Sequence, residues 1–168
     1  MASVPLTVVL TEKLRTLSFV PPFRWADFNL PSTLQLSPLL ELLIEPVTCE
    51  QTAFRVELGL QEALVNAVRH GNGGDCGKSL RVRRILTPHW LVWQIQDEGA
   101  GLPVAARDGH LPQRPDAARG RGLFLIHQCF DDVRWSRRGN RLQVACRKPI
   151  QDIVRMGDGD NQDPSVPA

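Results

Sequence analysis

Apolar residues recur along the chain at two periods, and these separate helices from strands. Between Thr48 and His70 the positions Phe54, Leu58, Leu60, Leu64, Val65 and Val68 follow helical spacing. They predict the longest helix of the chain, with Thr48 as a candidate cap and Gly71 as the residue that closes it. Leu34, Leu36, Leu39, Leu40, Leu42 and Leu43 predict a broad apolar helix that opens near Pro31-Ser32 and ends before Pro46, with Pro38 inside its first turns. Leu123 to Phe130 predicts a third helix, immediately preceded by Gly120-Arg121-Gly122. Elsewhere the period is two. Leu80 and Val82 alternate with Arg81 and Arg83, and Leu91, Trp93 and Ile95 alternate with Val92, Gln94 and Gln96. With Thr87-Pro88-His89 as the turn, this is a half-buried antiparallel pair. Shorter strands are expected over Arg24–Leu30, Asp132–Ser136 and Arg141–Arg147, the last two joined by Arg138-Gly139-Asn140.

The resulting order is strand, helices, two strands, helix, two strands. It implies an α/β (α+β) fold: a two-layer sandwich of a mixed, mostly antiparallel sheet with helices on one face and an arginine-bearing face toward solvent. Residues 1–22 read as an N-terminal extension ending in Pro21-Pro22, residues 23–148 as the domain, and residues 149–168, rich in Asp, Gly, Pro, Asn and Gln, as a disordered tail. Residues 102–119 show no periodicity and contain Pro103, Gly109, Pro112 and Pro115. A loop of that length inside a compact domain is more often a functional lid than an accident.

The bulk composition narrows the function. A chain of 168 residues with 42% hydrophobic and 23% charged residues is an ordinary globular domain with a core of its own. A net charge of +2 is too small to point to nucleic acid. Arg81, Arg83, Arg84, Arg137, Arg138 and Arg141 have little aromatic interleaving, so they read as a solvated sheet face or a protein docking surface. Cys49, Cys76, Cys129 and Cys146 form no CxxC pair, which argues against zinc and for reduced thiols in a cytoplasmic protein. No apolar run approaches the roughly 20 residues a membrane span requires.

Three separated segments carry the candidate chemistry. Glu62 and Asn66 lie four apart in the long helix, hence one turn apart on one face, with Cβ atoms roughly 5–6 Å apart. A carboxylate and an amide oxygen so placed suit a Mg²⁺-phosphate centre, since Mg²⁺ takes few protein ligands and completes its shell with phosphate and water. Asp97 has the parity of Leu91, Trp93 and Ile95, so its carboxylate points to the apolar side and needs a partner there. An exocyclic amine such as adenine carries would serve. Gly99 and Gly101 follow, leaving room for a flat ring or a phosphate. Gly120 and Gly122 precede a helix, where exposed N–H groups favour anions, and Arg119 and Arg121 add charge beside them.

The set Glu62-x3-Asn66-x3-His70-Gly71, Asp97-x-Gly99-x-Gly101 and Gly120-x-Gly122 resembles the GHKL ATPase superfamily of gyrase, the heat-shock chaperone, histidine kinases and the mismatch-repair ATPase. The resemblance covers roughly residues 24–148. The short chain, His70-Gly71-Asn72 and Gly-Arg-Gly-Leu-Phe-Leu-Ile favour the anti-sigma-factor serine/threonine kinase branch. The resemblance implies ATP and Mg²⁺ as cofactors. It implies Glu62 as general base, Asn66 as the magnesium ligand, and Asp97 as the acceptor for the adenine amine. Gly99 and Gly101 would shape the pocket, and Arg119, Gly120, Arg121, Gly122 and Leu123 would wrap the phosphates. Asn140 stands where relatives carry the threonine of a Gly-Thr pair, and His70 is structural. The implied partners are a sigma factor and a small serine-bearing antagonist, with a homodimer possible and neither nucleic acid nor membrane engaged. Two other classes compete: a nucleotide-dependent binding module without kinase activity, and a detached histidine-kinase-type catalytic domain.

Overall fold

The computed structural model describes the backbone of residues 7–9 and the whole of residues 24–108 and 121–148. The expectations for the tail, for residues 109–119 of the lid, and for Arg119 and Gly120 lie outside these residues. Six strands form one sheet: β1 (Thr7–Val9), β2 (Arg24–Pro31), β3 (Ser79–Leu86), β4 (Trp90–Gln96), β5 (Asp132–Trp135) and β6 (Arg141–Arg147). Their spatial order is β1-β2-β3-β4-β6-β5. Every pair is antiparallel, the limiting case of the mostly antiparallel sheet expected. Helices α1 (Ser37–Ile44), α2 (Glu50–Asn66) and α3 (Arg121–Cys129) supply the second layer.

Alternation in the strands decides what faces the helices. Ala26, Phe28 and Leu30 on β2, Leu80 and Val82 on β3, and Leu91, Trp93 and Ile95 on β4 are buried. They meet Leu39, Leu40 and Leu43 of α1 and Val56, Leu60, Ala63 and Leu64 of α2 in one core. Each aliphatic side chain so enclosed contributes roughly 1.5–3 kcal/mol relative to exposure. The buried stripe of α2 is thus 56-60-63-64, continued by Ala67 and Val68. Phe54, expected on that stripe, is 72% exposed because it lies about 160° around the helix from Val56 and about 120° from Leu60. Helix α1 starts at Ser37 rather than near Ser32, since proline is tolerated only in a first turn and Pro38 fixes where that turn is. Leu34 consequently stays outside the helix and is exposed.

Two polar side chains from the sheet cap the end of α1. The Trp93 indole donates to the Leu43 carbonyl at 3.1 Å. Arg84 donates to the Leu42 carbonyl and pairs with Glu45. Arg84 therefore does not belong to the solvent-facing arginine row: its register partners are the buried Ala26 and Trp93. Helix α3 lies close against α2 because Gly59 has no side chain. A Cβ there would fall 2.5 Å from the Phe130 ring and 2.7 Å from Cys129 Cβ. This approach brings the start of α3 over the last two turns of α2.

All four cysteines are free. Cys129 and Cys146 are buried, and burial pushes the Cys146 thiol up to about 11. These two are inert core residues; Cys76 is exposed. Among the described residues, no helix is long and apolar enough to cross a membrane.

Candidate functional site

The long helix changes pitch at its functional end. After Asn66 the chain makes a single π-helical turn, Ala67–Gly71. Asn72 closes it, its N–H bonding to the Ala67 carbonyl, and Gly74 N–H reaches Val68. π-Turns of this kind collect at functional sites. This wider turn delivers the Gly71 backbone to the end of β4. Gly71 is not the left-handed closing residue expected, for the positive φ values belong to Gly73 and Gly74 instead. Its role is steric: a Cβ at Gly71 would sit 2.3 Å from Asp97 Cγ.

Asp97 is held from several sides. Gly99 N–H donates to its Oδ1 at 2.8 Å. Its own N–H donates to the Asn140 carbonyl at 3.0 Å, and Asn140 Nδ2 donates back to the Asp97 carbonyl at 3.1 Å. Burial raises the Asp97 carboxyl above its ordinary value, opposed by backbone N–H donors and the charges of Arg138 and Lys78. The parity argument thus places this carboxylate correctly, half-buried on the apolar side.

A cavity of about 570 Å³ joins the separated segments. Glu62 and Asn66 line it from α2, Asp97 and Gly101 from the end of β4, and Gly122 and Leu123 from α3. Ile95, Ile126, Trp135 and Leu142 form an apolar wall. Gly122 is where two of the segments meet: a Cβ there would lie 2.9 Å from Glu62 Oε2 and 3.2 Å from Asn66 Nδ2. Such a concave, mostly apolar site with a few convergent polar groups is the usual form of a small-molecule pocket.

The other expected residues fall in different places. Gly99 is absent from the cavity wall, because its Cα is pressed against the Gly71 carbonyl, 2.0 Å from where a Cβ would stand. Gly101, at φ +94°, packs against the Arg138 carbonyl. Both glycines are therefore required by the protein's own backbone, and Gly101 also lines the cavity. Asn140 acts through the Asp97 backbone and does not line the cavity. Arg121 occupies the first turn of α3. His70 lies on the cavity rim and is exposed.

Three groups escaped the motif reading. Buried Asn72 accepts from Glu98 N–H and donates to the Ser79 carbonyl, fastening the helix exit to both neighbouring strands. Arg107, in the segment expected to form a lid, donates to the carbonyls of Leu102, Ser136 and Arg137. Its own carbonyl accepts from His127 Nε2 on α3 at 3.1 Å. Trp135 lines the cavity, and its buried indole nitrogen has no hydrogen-bond partner among the described residues. Only the HGN triplet offered a signal for Asn72; nothing local marked Arg107 or Trp135.

The sequence signature of the histidine kinase-like ATPase domain matches residues 40–148. The chain belongs to this family. The chain is also 28% identical, over 102 residues, to the anti-sigma F factors of Bacillus velezensis and Bacillus subtilis (strain 168). The match covers 59% of this chain and 63% of each relative, short of two thirds of their length. These relatives agree with the resemblance to the anti-sigma-factor branch drawn from the motifs.

The residues present fit the nucleotide that an ATPase domain implies. The cavity is of a size for a nucleotide, and Asp97 offers a fixed acceptor at its apolar end. Among the described residues no three His, Cys, Asp or Glu side chains gather into a metal cage. One amide and one carboxylate facing Gly122 would instead suit a hard cation that keeps phosphate and water in its shell.

Proposed function

We propose that the protein is an anti-sigma factor with ATP-dependent serine/threonine kinase activity. It would phosphorylate a small antagonist protein and, in its alternate state, hold a sigma factor inactive, in the cytoplasm. The observation that carries this reading is the apposition of Gly122 to Glu62 and Asn66 within the cavity that also holds Asp97. A phosphate-binding helix start, a carboxylate and an amide are thereby brought to one point, with an adenine acceptor in the same cavity.

Asp97 accepts the adenine amine, and the Gly99 N–H and the Asn140 pair fix its orientation. The wall of Ile95, Ile126 and Leu142 excludes water from the base. The first turn of α3 receives the phosphates, and Asn66 would hold Mg²⁺, which neutralises phosphate charge when bound. Glu62 takes the proton of the attacking hydroxyl as its oxygen bonds to the γ-phosphorus and the bond to ADP breaks. Glu62 separates this reading from a pure binding module, which needs no base.

The test is transfer of labelled phosphate from ATP to candidate acceptors, followed by acid treatment. Acid-stable label on serine or threonine is expected. Acid-labile label would place the chain with histidine kinases, and intact ATP binding without any transfer would make it a binding module. Glu62→Gln should lower transfer by at least about a hundredfold, the ordinary range for a general base, while sparing ATP binding. Asn66→Ala should weaken Mg²⁺-dependent binding. Parent-like behaviour of both variants overturns the assignment.

A further inference from the structure

The solvent-facing side of the sheet carries a second constellation, on the opposite face from the cavity. Register aligns Arg81 of β3, Gln96 of β4 and Arg141 of β6 in one cross-strand row. Adjacent strands are about 4.8 Å apart, so the two arginine Cα atoms stand roughly 10 Å apart with Gln96 between them. The next row is Arg83, Gln94 and Gln143. Arg81, Arg83, Gln94, Gln96 and Arg141 surround a shallow depression of about 70 Å³.

Within this group the charges are unequally satisfied. Arg83 is fully engaged: it pairs with Asp27 through two hydrogen bonds of 2.7 and 2.9 Å. Gln94 is held by Gln143 at 2.9 Å. Among the described residues, no hydrogen bond or ion pair holds the guanidinium groups of Arg81 and Arg141 or the Gln96 amide. Along the strands the outward carboxylates are Asp27 and Asp132, and each already has its arginine, Arg83 and Arg134. Two cations and an amide donor thus converge on a depression, and the neighbouring carboxylates of Asp27 and Glu98 are engaged by Arg83 and by Ser79.

We propose that this row is a docking site for carboxylate side chains of an acidic polypeptide segment on a protein partner. Two guanidinium forks can each take a carboxylate bidentately, and the Gln96 amide adds a donor between them. Nucleic acid fits poorly. Among the described residues the depression offers two uncompensated arginines, where duplex binders commonly make about 6–10 phosphate contacts. The Asp27 carboxylate at the border also repels a continuous polyanion while leaving room for a side chain. The proposal is independent of the nucleotide site.

The experiment is titration of the ¹⁵N-labelled full chain with a capped hexaglutamate peptide at low salt, following the arginine Nε–H and glutamine side-chain signals. Parallel titrations use inorganic phosphate and a short DNA duplex. Saturable shifts confined to Arg81, Gln96 and Arg141 are expected with the peptide. The double variant R81Q/R141Q should weaken them by about tenfold, in line with two exposed charge pairs. R134Q, on the same face but paired with Asp132, should leave them unchanged, and ATP binding should be intact in both. Absence of saturable shifts, or equal affinity in R81Q/R141Q, overturns the site. Tighter binding of phosphate or duplex than of peptide overturns the partner assignment.

Discussion

Replacing Gly71 by alanine isolates the role of the π-turn. Gly71 has no positive φ, so alanine is conformationally permitted and the perturbation is steric alone. The added methyl would stand 2.3 Å from Asp97 Cγ and 2.6 and 2.7 Å from its two oxygens. Ordinary van der Waals separation is about 3.5–4.0 Å, so the carboxylate must retreat by roughly 1 Å or more. It has little room. Its carbonyl and N–H are tied to Asn140, and the 97–99 turn already abuts the Gly71 carbonyl. Overpacking of this sort costs about 1–3 kcal/mol of stability. A displaced Asp97 would also lose the charge-assisted bond to the adenine amine proposed above, about 1.5–3 kcal/mol, which corresponds to roughly a 10- to 150-fold rise in Kd. Calorimetric titration with ADP measures the affinity, and urea melts measure the stability. Gly77→Ala serves as the control, since the nearest atom to its new Cβ is Asp75 Oδ1 at 3.1 Å, far from the cavity. The reasoning fails if Gly71→Ala binds ADP as tightly as the parent at unchanged stability.

Three further outcomes are expected. Gly59→Ala should destabilise the fold by about 1–3 kcal/mol in urea melts, because its methyl meets Phe130 and Cys129 at 2.5 and 2.7 Å; an unchanged midpoint would show that α3 can move aside freely. Asp97→Asn should leave the nucleotide-free protein at least as stable at pH 7. Burial raises the folded carboxyl, so its ionised form costs stability above that raised value and the cost fades as pH falls toward the unfolded value. The gap between variant and parent should therefore narrow on acidification, and a widening gap contradicts the account. Arg107→Met should speed hydrogen exchange at the Arg107 amide by about tenfold or more, since it removes the side-chain ties to the carbonyls of Leu102, Ser136 and Arg137. Unaltered exchange would mean the clamp is decorative.

What could be read from the residues alone was the part governed by period and spacing. Alternation put Asp97 on the buried side of β4, and four-residue spacing put Glu62 and Asn66 on one face of α2; both follow from local geometry. The glycines were found, but one reason for them was not legible. Gly71, Gly99 and Gly101 mark places where two stretches of this chain nearly touch, and contact between distant backbones has no local signature. The same limit hid Arg107, whose acceptors lie up to 30 residues away. Arg84 and Phe54 were misplaced because composition alone cannot say which arginine reaches inward to a helix end or which helical phenylalanine turns outward. Spacing places Pro38 inside the first turns of a helix opening near Ser32, whereas it stands at the helix's beginning.

The position of β6 between β4 and β5 has a consequence for synthesis. The last described strand to leave the ribosome is an interior one, and the turn before it supplies Asn140, which steadies Asp97. A nascent chain halted before this hairpin exposes the buried edge of β4 and lacks the wall contributed by Trp135 and Leu142. A product that ends before this hairpin would therefore lack part of the cavity wall and the support of Asp97.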